Sequence, residues 1–190
     1  MRTFIAIELP KEIQDTLADL QEQLKTSGAD VKWVQPQNIH LTLKFLGERD
    51  DKKVEKIKQT IDEVAKEKKS FFLSLSTLGA FPKVDYPRVI WVGVDKGDNE
   101  AKAIALDLEK RIAKIGIPKE ERPFSSHITL GRVRSSLNLK QLAQGLKNQE
   151  NVFTAKNLEF EVSQITLFKS TLTPKGPIYE ALKEASLKTT

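Results

Sequence analysis

The sequence predicts alternating helices and strands arranged as two lobes about an approximate two-fold axis, and three observations predict it. His40 and His127 are the only two histidines, and each opens the same tetrad, His40-Leu41-Thr42-Leu43 and His127-Ile128-Thr129-Leu130. The offset between them, 127 less 40 or 87 residues, also carries Thr3-Phe4-Ile5-Ala6-Ile7-Glu8 onto Ile90-Trp91-Val92-Gly93-Val94-Asp95, Leu17 onto Ile104 and Pro36 onto Pro123. Each tetrad then leads into a polar break, an amphipathic helix and an apolar strand, so one strand-helix-strand unit occurs twice, with halves at roughly 1–87 and 88–190. Two units are too few for a solenoid, which needs about three or more. A pair of lobes fits, and its axis would bring the two histidines face to face.

Taken in order, Thr3 to Glu8 alternates as a strand, and Pro10 opens a helix at a position proline tolerates. Ile13, Leu17, Leu20 and Leu24 give that helix an apolar stripe, and Ser27-Gly28 ends it. Val31 to Val34 is a short extended piece running to Pro36, and Ile39 to Leu46 is a strand closed by Gly47. Val54, Ile57, Ile61 and Val64 mark a second helix. Phe71 to Leu78 and Arg88 to Val94 read as strands joined by a turn-rich stretch that holds Pro82 and Pro87. A third helix carries Ile104, Leu108, Ile112 and Ile115 and stops at Gly116 and Pro118. Ser126 to Val133 is a strand, Leu139, Leu142 and Leu146 mark a fourth helix, and Asn157 to Lys169 is one long strand region. From Ile178 to Leu187, composition favours helix but the repeat favours a strand, and a strand is expected.

Composition narrows the class. At 190 residues, 39% hydrophobic and 30% charged, the chain reads as a soluble globular protein of one domain or two intimately packed lobes. No apolar run approaches the roughly 20 residues that cross a bilayer. The N-terminus turns acidic at Glu8, before a signal-peptide core could form, and reads as the first strand. With no Cys there is no disulfide framework and no thiolate ligand or nucleophile, which fits a cytoplasmic protein. The net charge of +5 and pI near 9.3 favour polyanionic partners. With 31 basic residues against 26 acidic ones, most of that charge reads as solvated surface.

In a strand, residues i and i+2 share a face. His40 and Thr42 therefore emerge together while Leu41 and Leu43 anchor the strand, and His127 and Thr129 repeat this over Ile128 and Leu130. A single strand histidine is more often structural than catalytic; two at equivalent positions, using every histidine present, reverse that balance. One imidazole can take a proton from a nucleophile while the other gives one to a leaving oxygen, with the hydroxyls donating to phosphate oxygens. Two histidines without Cys fall short of the usual zinc ligand count, a Ser-His-Asp triad would need only one, and no Gly-rich phosphate loop occurs. The chemistry expected needs no metal or cofactor.

The block Trp33-Val34-Gln35-Pro36-Gln37-Asn38-Ile39-His40-Leu41-Thr42-Leu43-Lys44-Phe45-Leu46-Gly47, the opening Phe4-Ile5-Ala6-Ile7-Glu8-Leu9-Pro10 and the block Arg122-Pro123-Phe124-Ser125-Ser126-His127-Ile128-Thr129-Leu130-Gly131-Arg132 resemble the two-histidine phosphoesterases. Within them they resemble the RNA 2′,3′-cyclic phosphodiesterases, also called 2′-5′ RNA ligases. Ser126 departs from the pattern, standing where many members have proline, and the likeness runs from residue 3 to about residue 180. The resemblance implies a bilobal α+β fold with antiparallel sheets lining a central cleft and helices outside. It implies opening of a terminal 2′,3′-cyclic phosphate on RNA to a 2′-phosphate, with His40 as proton donor to the departing 3′ oxygen and His127 as the acceptor that activates water. Thr42 and Thr129 would hold the phosphate. Arg132 is similar to an arginine that approaches it in relatives, though alternation puts Arg132 on the face opposite His127 unless a bulge intervenes. Phe45 and Phe124 could line a base pocket, with core packing the expected role for each. Run backwards with a 5′-hydroxyl in place of water, the same pair would form a 2′-5′ linkage without ATP. The expected partner is RNA with a cyclic phosphate end, tRNA fragments among the candidates, met by a monomer away from membranes. Rival readings are a non-catalytic RNA-end-binding module and a phosphodiesterase for another small cyclic phosphate, such as ADP-ribose 1″,2″-cyclic phosphate.

Overall fold

The computed structural model describes residues 1–190. Its elements run β1 (Arg2–Glu8), α1 (Lys11–Lys25), β2 (Val31–Trp33), a short 3-10 turn (Pro36–Asn38), β3 (His40–Glu48), α2 (Asp51–Glu67), β4 (Phe71–Lys83), β5 (Tyr86–Val94), α3 (Asp98–Lys114), β6 (His127–Val133), α4 (Leu139–Thr154), β7 (Leu158–Val162), β8 (Gln164–Thr173) and β9 (Gly176–Ser186). The strands form two antiparallel sheets, one ordered β3-β1-β8-β9 and the other β2-β6-β5-β4-β7. This is the bilobal α+β architecture the sequence predicts. Each sheet nevertheless draws strands from both halves of the chain, so the halves interlock.

Two expected boundaries move. β4 runs on through Pro82 and β5 begins before Pro87, leaving only Val84 and Asp85 between the arms. The two prolines pair with each other in the hairpin register, one step from the turn pair of Lys83 and Tyr86, and neither can supply a ladder N–H. The region from Asn157 to Lys169 is two strands, broken at Ser163, which part into different sheets. The tail is a strand, β9, paired along β8.

The tetrads behave as alternation requires. Leu41, Leu43, Ile128 and Leu130 are buried in one core cluster shared by both sheets and all four helices. His40, Thr42, His127 and Thr129 are half-buried on the other face. Each strand then carries a bulge at the same place. Thr42 pairs with Ala6 and Lys44 with Ile5, so Leu43 is the extra residue. Thr129 pairs with Trp91 and Gly131 with Ile90, so Leu130 is the extra one. Leu43 and Leu130 are themselves related by the 87-residue offset. A bulge reverses the alternation beyond it, which returns Phe45 and Arg132 to the histidine face.

Buried polar ties fix these two strands, which also pack against each other between the sheets. Gln21 on α1 donates from Nε2 to Val34 O (2.8 Å) and to Leu130 O (2.9 Å), the carbonyl of the β6 bulge. Lys44, only 1% exposed, reaches Glu109 on α3 at 2.5 Å. Glu109 Oε2 accepts from Glu120 N (3.2 Å), and Glu120 Oε1 accepts from Phe45 N (3.1 Å), tying the loop that leads to His127 onto β3. Removing one partner of a buried pair costs roughly 3–5 kcal/mol, and the partial exposure of Glu109 sets the lower end. Urea unfolding of Lys44→Ala should show a loss of about 3 kcal/mol, whereas Lys11→Ala, in the exposed Lys11–Asp15 pair, should leave the midpoint unchanged.

Candidate active site

Both rings are oriented by the same bond. His40 Nδ1 lies 2.6 Å from Asn38 O, and His127 Nδ1 lies 2.8 Å from Ser125 O. A carbonyl can only accept, so Nδ1 carries the hydrogen in each ring and Nε2 is left as the proton-exchanging atom. The partner is two residues upstream in both cases, so each strand sets the tautomer of its own histidine. At Nε2 the halves diverge. His40 Nε2 is 2.8 Å from Thr42 Oγ1, while His127 Nε2 has no protein partner.

The surroundings diverge too. His40 stacks on Phe4 (centroids 4.9 Å, planes 29° apart) and meets Tyr179 edge-on at 5.5 Å; Phe168 stacks on Phe4 at 5.3 Å. This aromatic seat desolvates the imidazole and pulls its pKa below 6.5, against the opposing hydrogen bond to Asn38 O. The same burial pushes the Tyr179 hydroxyl up. His127 meets Phe81 edge-on at 5.4 Å, and Phe81 stacks on Trp91 at 5.1 Å. Glycines clear the floor for that indole. A Cβ at Gly79 would lie 2.6 Å from a Trp91 ring carbon, and one at Gly93 would lie 3.1 Å from another.

The predicted residues thus separate into contacts and neighbours. His40 and Thr42 are directly hydrogen-bonded; His127 and Thr129 share a face without that bond; Arg132 is exposed on the same face, placed there by the bulge at Leu130. Phe45 corrects the core expectation. At 59% exposed it stands on the histidine face, because the bulge at Leu43 turns it outward. Phe124 does pack against the core. Sequence reasoning misses the aromatic seats, although the offset signals them. Phe4 falls on Trp91 and Phe81 on Phe168, so four ring positions repeat with the histidines.

Comparison with known proteins shows the family to which the chain belongs. The family described as LigT like Phosphoesterase matches residues 7–91 and again 92–179, once per half. The chain belongs to the LigT-like phosphoesterase family. Curated relatives are named RNA 2′,3′-cyclic phosphodiesterase. One from Methanocaldococcus jannaschii is 38% identical over 184 residues, covering 97% of this chain and 99% of that protein. Another, from Methanothermobacter thermautotrophicus, is 33% identical and covers 94% and 95%. Among solved structures, a Thermus thermophilus protein superposes with a TM-score of 0.81 at 28% identity, covering 100% of this chain and 99% of that one. Escherichia coli LigT complexed with 3′-AMP gives 0.78 at 26% identity, covering 98% and 97%.

Replacing Gly79 by Ala forces the Trp91 indole off its floor. Overpacking of this kind costs roughly 1–3 kcal/mol, and a denaturation curve read by tryptophan fluorescence should report it together with an altered native emission.

Proposed function

We propose that this protein hydrolyses the terminal 2′,3′-cyclic phosphate of RNA to a 2′-phosphomonoester, using His40 as general acid and His127 as general base. The observation that carries this reading is the repeated Nδ1–carbonyl bond, which commits Nε2 of both rings to proton transfer. His127 Nε2 has no competing partner, which suits a base that must take a proton from water. Thr42 Oγ1 beside His40 Nε2 can donate to the neutral ring or accept from the imidazolium, so it holds the acid in either state. Thr42, Thr129 and Arg132 supply donors to the non-bridging phosphate oxygens, Arg132 adding a full charge. The strained five-membered ester suits two imidazoles acting alone. In reverse, a 5′-hydroxyl in place of water yields a 2′-5′ linkage without ATP.

The protein is read as a single domain spanning residues 1–190, acting as a cytoplasmic monomer on RNA ends that include tRNA fragments. No helix is long and apolar enough to cross a membrane.

Either His40→Ala or His127→Ala should lower kcat on a 2′,3′-cyclic nucleotide by about 10²–10⁴-fold, in EDTA, with circular dichroism unchanged. Near-normal turnover by both variants refutes the assignment. Arg132→Ala should raise KM more than it lowers kcat.

The acid must be protonated, yet its seat depresses its pKa in the free enzyme. A bound phosphodiester anion favours the imidazolium and raises it again. The alkaline limb of kcat should therefore lie at higher pH than that of kcat/KM. Coincident limbs would show that the anion does not act on His40.

A further inference from the structure

The two lobes are not equivalent where they flank their histidines. Thr77, Gly79 and Phe81 on β4 correspond by the 87-residue offset to Gln164, Thr166 and Phe168 on β8. On the His40 side these positions are filled. Thr166 Oγ1 donates to Glu8 Oε2 at 3.0 Å, Gln164 Nε2 approaches the same oxygen at 3.4 Å, and Tyr179 on β9 packs against Phe168. On the His127 side Thr77 and Phe81 are exposed, and Gly79 is covered by the Trp91 indole. The reason lies in the edge strands. β9 pairs with β8 from Gln164 to Thr173, whereas β7 pairs with β4 only from Phe71 to Leu75 and stops short of Thr77. The result is a recess of about 280 Å³ lined by Thr77, Phe81, Trp91, Asp98, Ser126 and His127, and His40 takes no part in it.

Its walls have the chemistry of a nucleoside site. Phe81 is 39% exposed and offers a ring face already backed by Trp91. Trp91 Nε1 is buried with no hydrogen-bond partner, a donor in need of an acceptor. Ser126, the residue that departs from proline, brings a second buried polar atom without a partner in hydrogen-bond geometry. It still lies close enough to Asp98 to matter. Burial pushes that carboxyl up, but Lys102, paired with it at 2.7 Å, and then Ser126 hold it below the usual range. The wall thus offers a carboxylate acceptor and an ammonium donor side by side. The volume sits at the low end of small-ligand pockets, which suits one nucleoside.

We infer that this recess seats the nucleoside whose 5′-hydroxyl replaces water as nucleophile, making it an acceptor subsite for strand transfer. The inference rests on the acid–base reading above, since the recess borders His127, the base in that reading. His127 Nε2 takes the proton from the 5′-hydroxyl, the 5′ oxygen bonds to phosphorus, and the bond from phosphorus to the 3′ oxygen breaks. His40 protonates that 3′ oxygen, leaving a 2′-5′ phosphodiester, and no co-reactant is consumed.

The test uses the full chain with an oligoribonucleotide ending in a 2′,3′-cyclic phosphate and an excess of an oligoribonucleotide with a 5′-hydroxyl. Transfer and hydrolysis products are quantified together. Thr77 is exposed, so Thr77→Phe fills the recess without entering the core. That variant should lower transfer at least tenfold while kcat/KM for hydrolysis of a cyclic mononucleotide stays within twofold. Asp98→Ala should lower transfer in the same direction with hydrolysis again preserved. An unchanged transfer-to-hydrolysis ratio, or no transfer by a wild type that hydrolyses normally, overturns the acceptor subsite. A rise in KM for the cyclic mononucleotide in step with lost transfer overturns it too, because the recess would then hold the cyclic nucleotide itself. A wild type that neither hydrolyses nor transfers refutes the acid–base reading instead.

Discussion

A hydrogen bond from imidazole Nδ1 to the carbonyl two residues upstream, made once in each half, is the constraint on which the chemistry depends. It is local, so each strand can impose it without help from the other lobe. In the first half, the 3-10 turn Pro36–Asn38 delivers the Asn38 carbonyl to the ring just before β3 begins. In the second, the segment after Pro123 delivers the Ser125 carbonyl before β6. Once the rings are set, only the distance between the lobes is left to fix. The interlocking of strands from both halves fixes it, together with the ties of Gln21 and Lys44 that cross between elements.

The same scaffold makes its two halves unequal. The seat of Phe4, Phe168 and Tyr179 buries one ring, and the other borders an open recess beside Phe81 and Trp91. Burial of His40 has a thermodynamic side. Its folded pKa lies below the unfolded value of 6.5, so between the two values the unfolded chain binds more protons. The stability contributed by this group is present above 6.5 and is lost as pH falls through the folded value. A proton donor housed this way is stable when neutral and is charged by the arrival of an anion.

Much of this is legible because the chemistry repeats in the sequence. The tetrads mark the histidine face and the buried leucines, and the offset equates β1 with β5 and resolves β9 as a strand against its own helix-favouring composition. Parity and pairing beyond a single strand are not legible in the same way. Nothing in Leu43 or Leu130 as letters announces an extra residue, because a bulge is set by the partner strand and by donors such as Gln21 waiting behind it. Alternation alone therefore reads Phe45 as core, and it is exposed. Pro82 and Pro87 read as turn residues because a proline normally interrupts a ladder, and only the register shows them opposite each other. Ser163 looks like any polar residue inside a strand; the change of sheet there belongs to topology. The open recess is invisible for a related reason, since it arises from how far β7 reaches along β4.

The claim that both rings present Nε2 for proton transfer can be read directly. Because the chain contains only two histidines, a ¹⁵N–¹H long-range correlation spectrum of the imidazole nitrogens resolves into two ring systems. In alkaline solution both neutral rings should carry their proton on Nδ1, and on acidification one should titrate below 6.5, as the buried His40 requires. A neutral ring in either system with its proton on Nε2 would contradict the account.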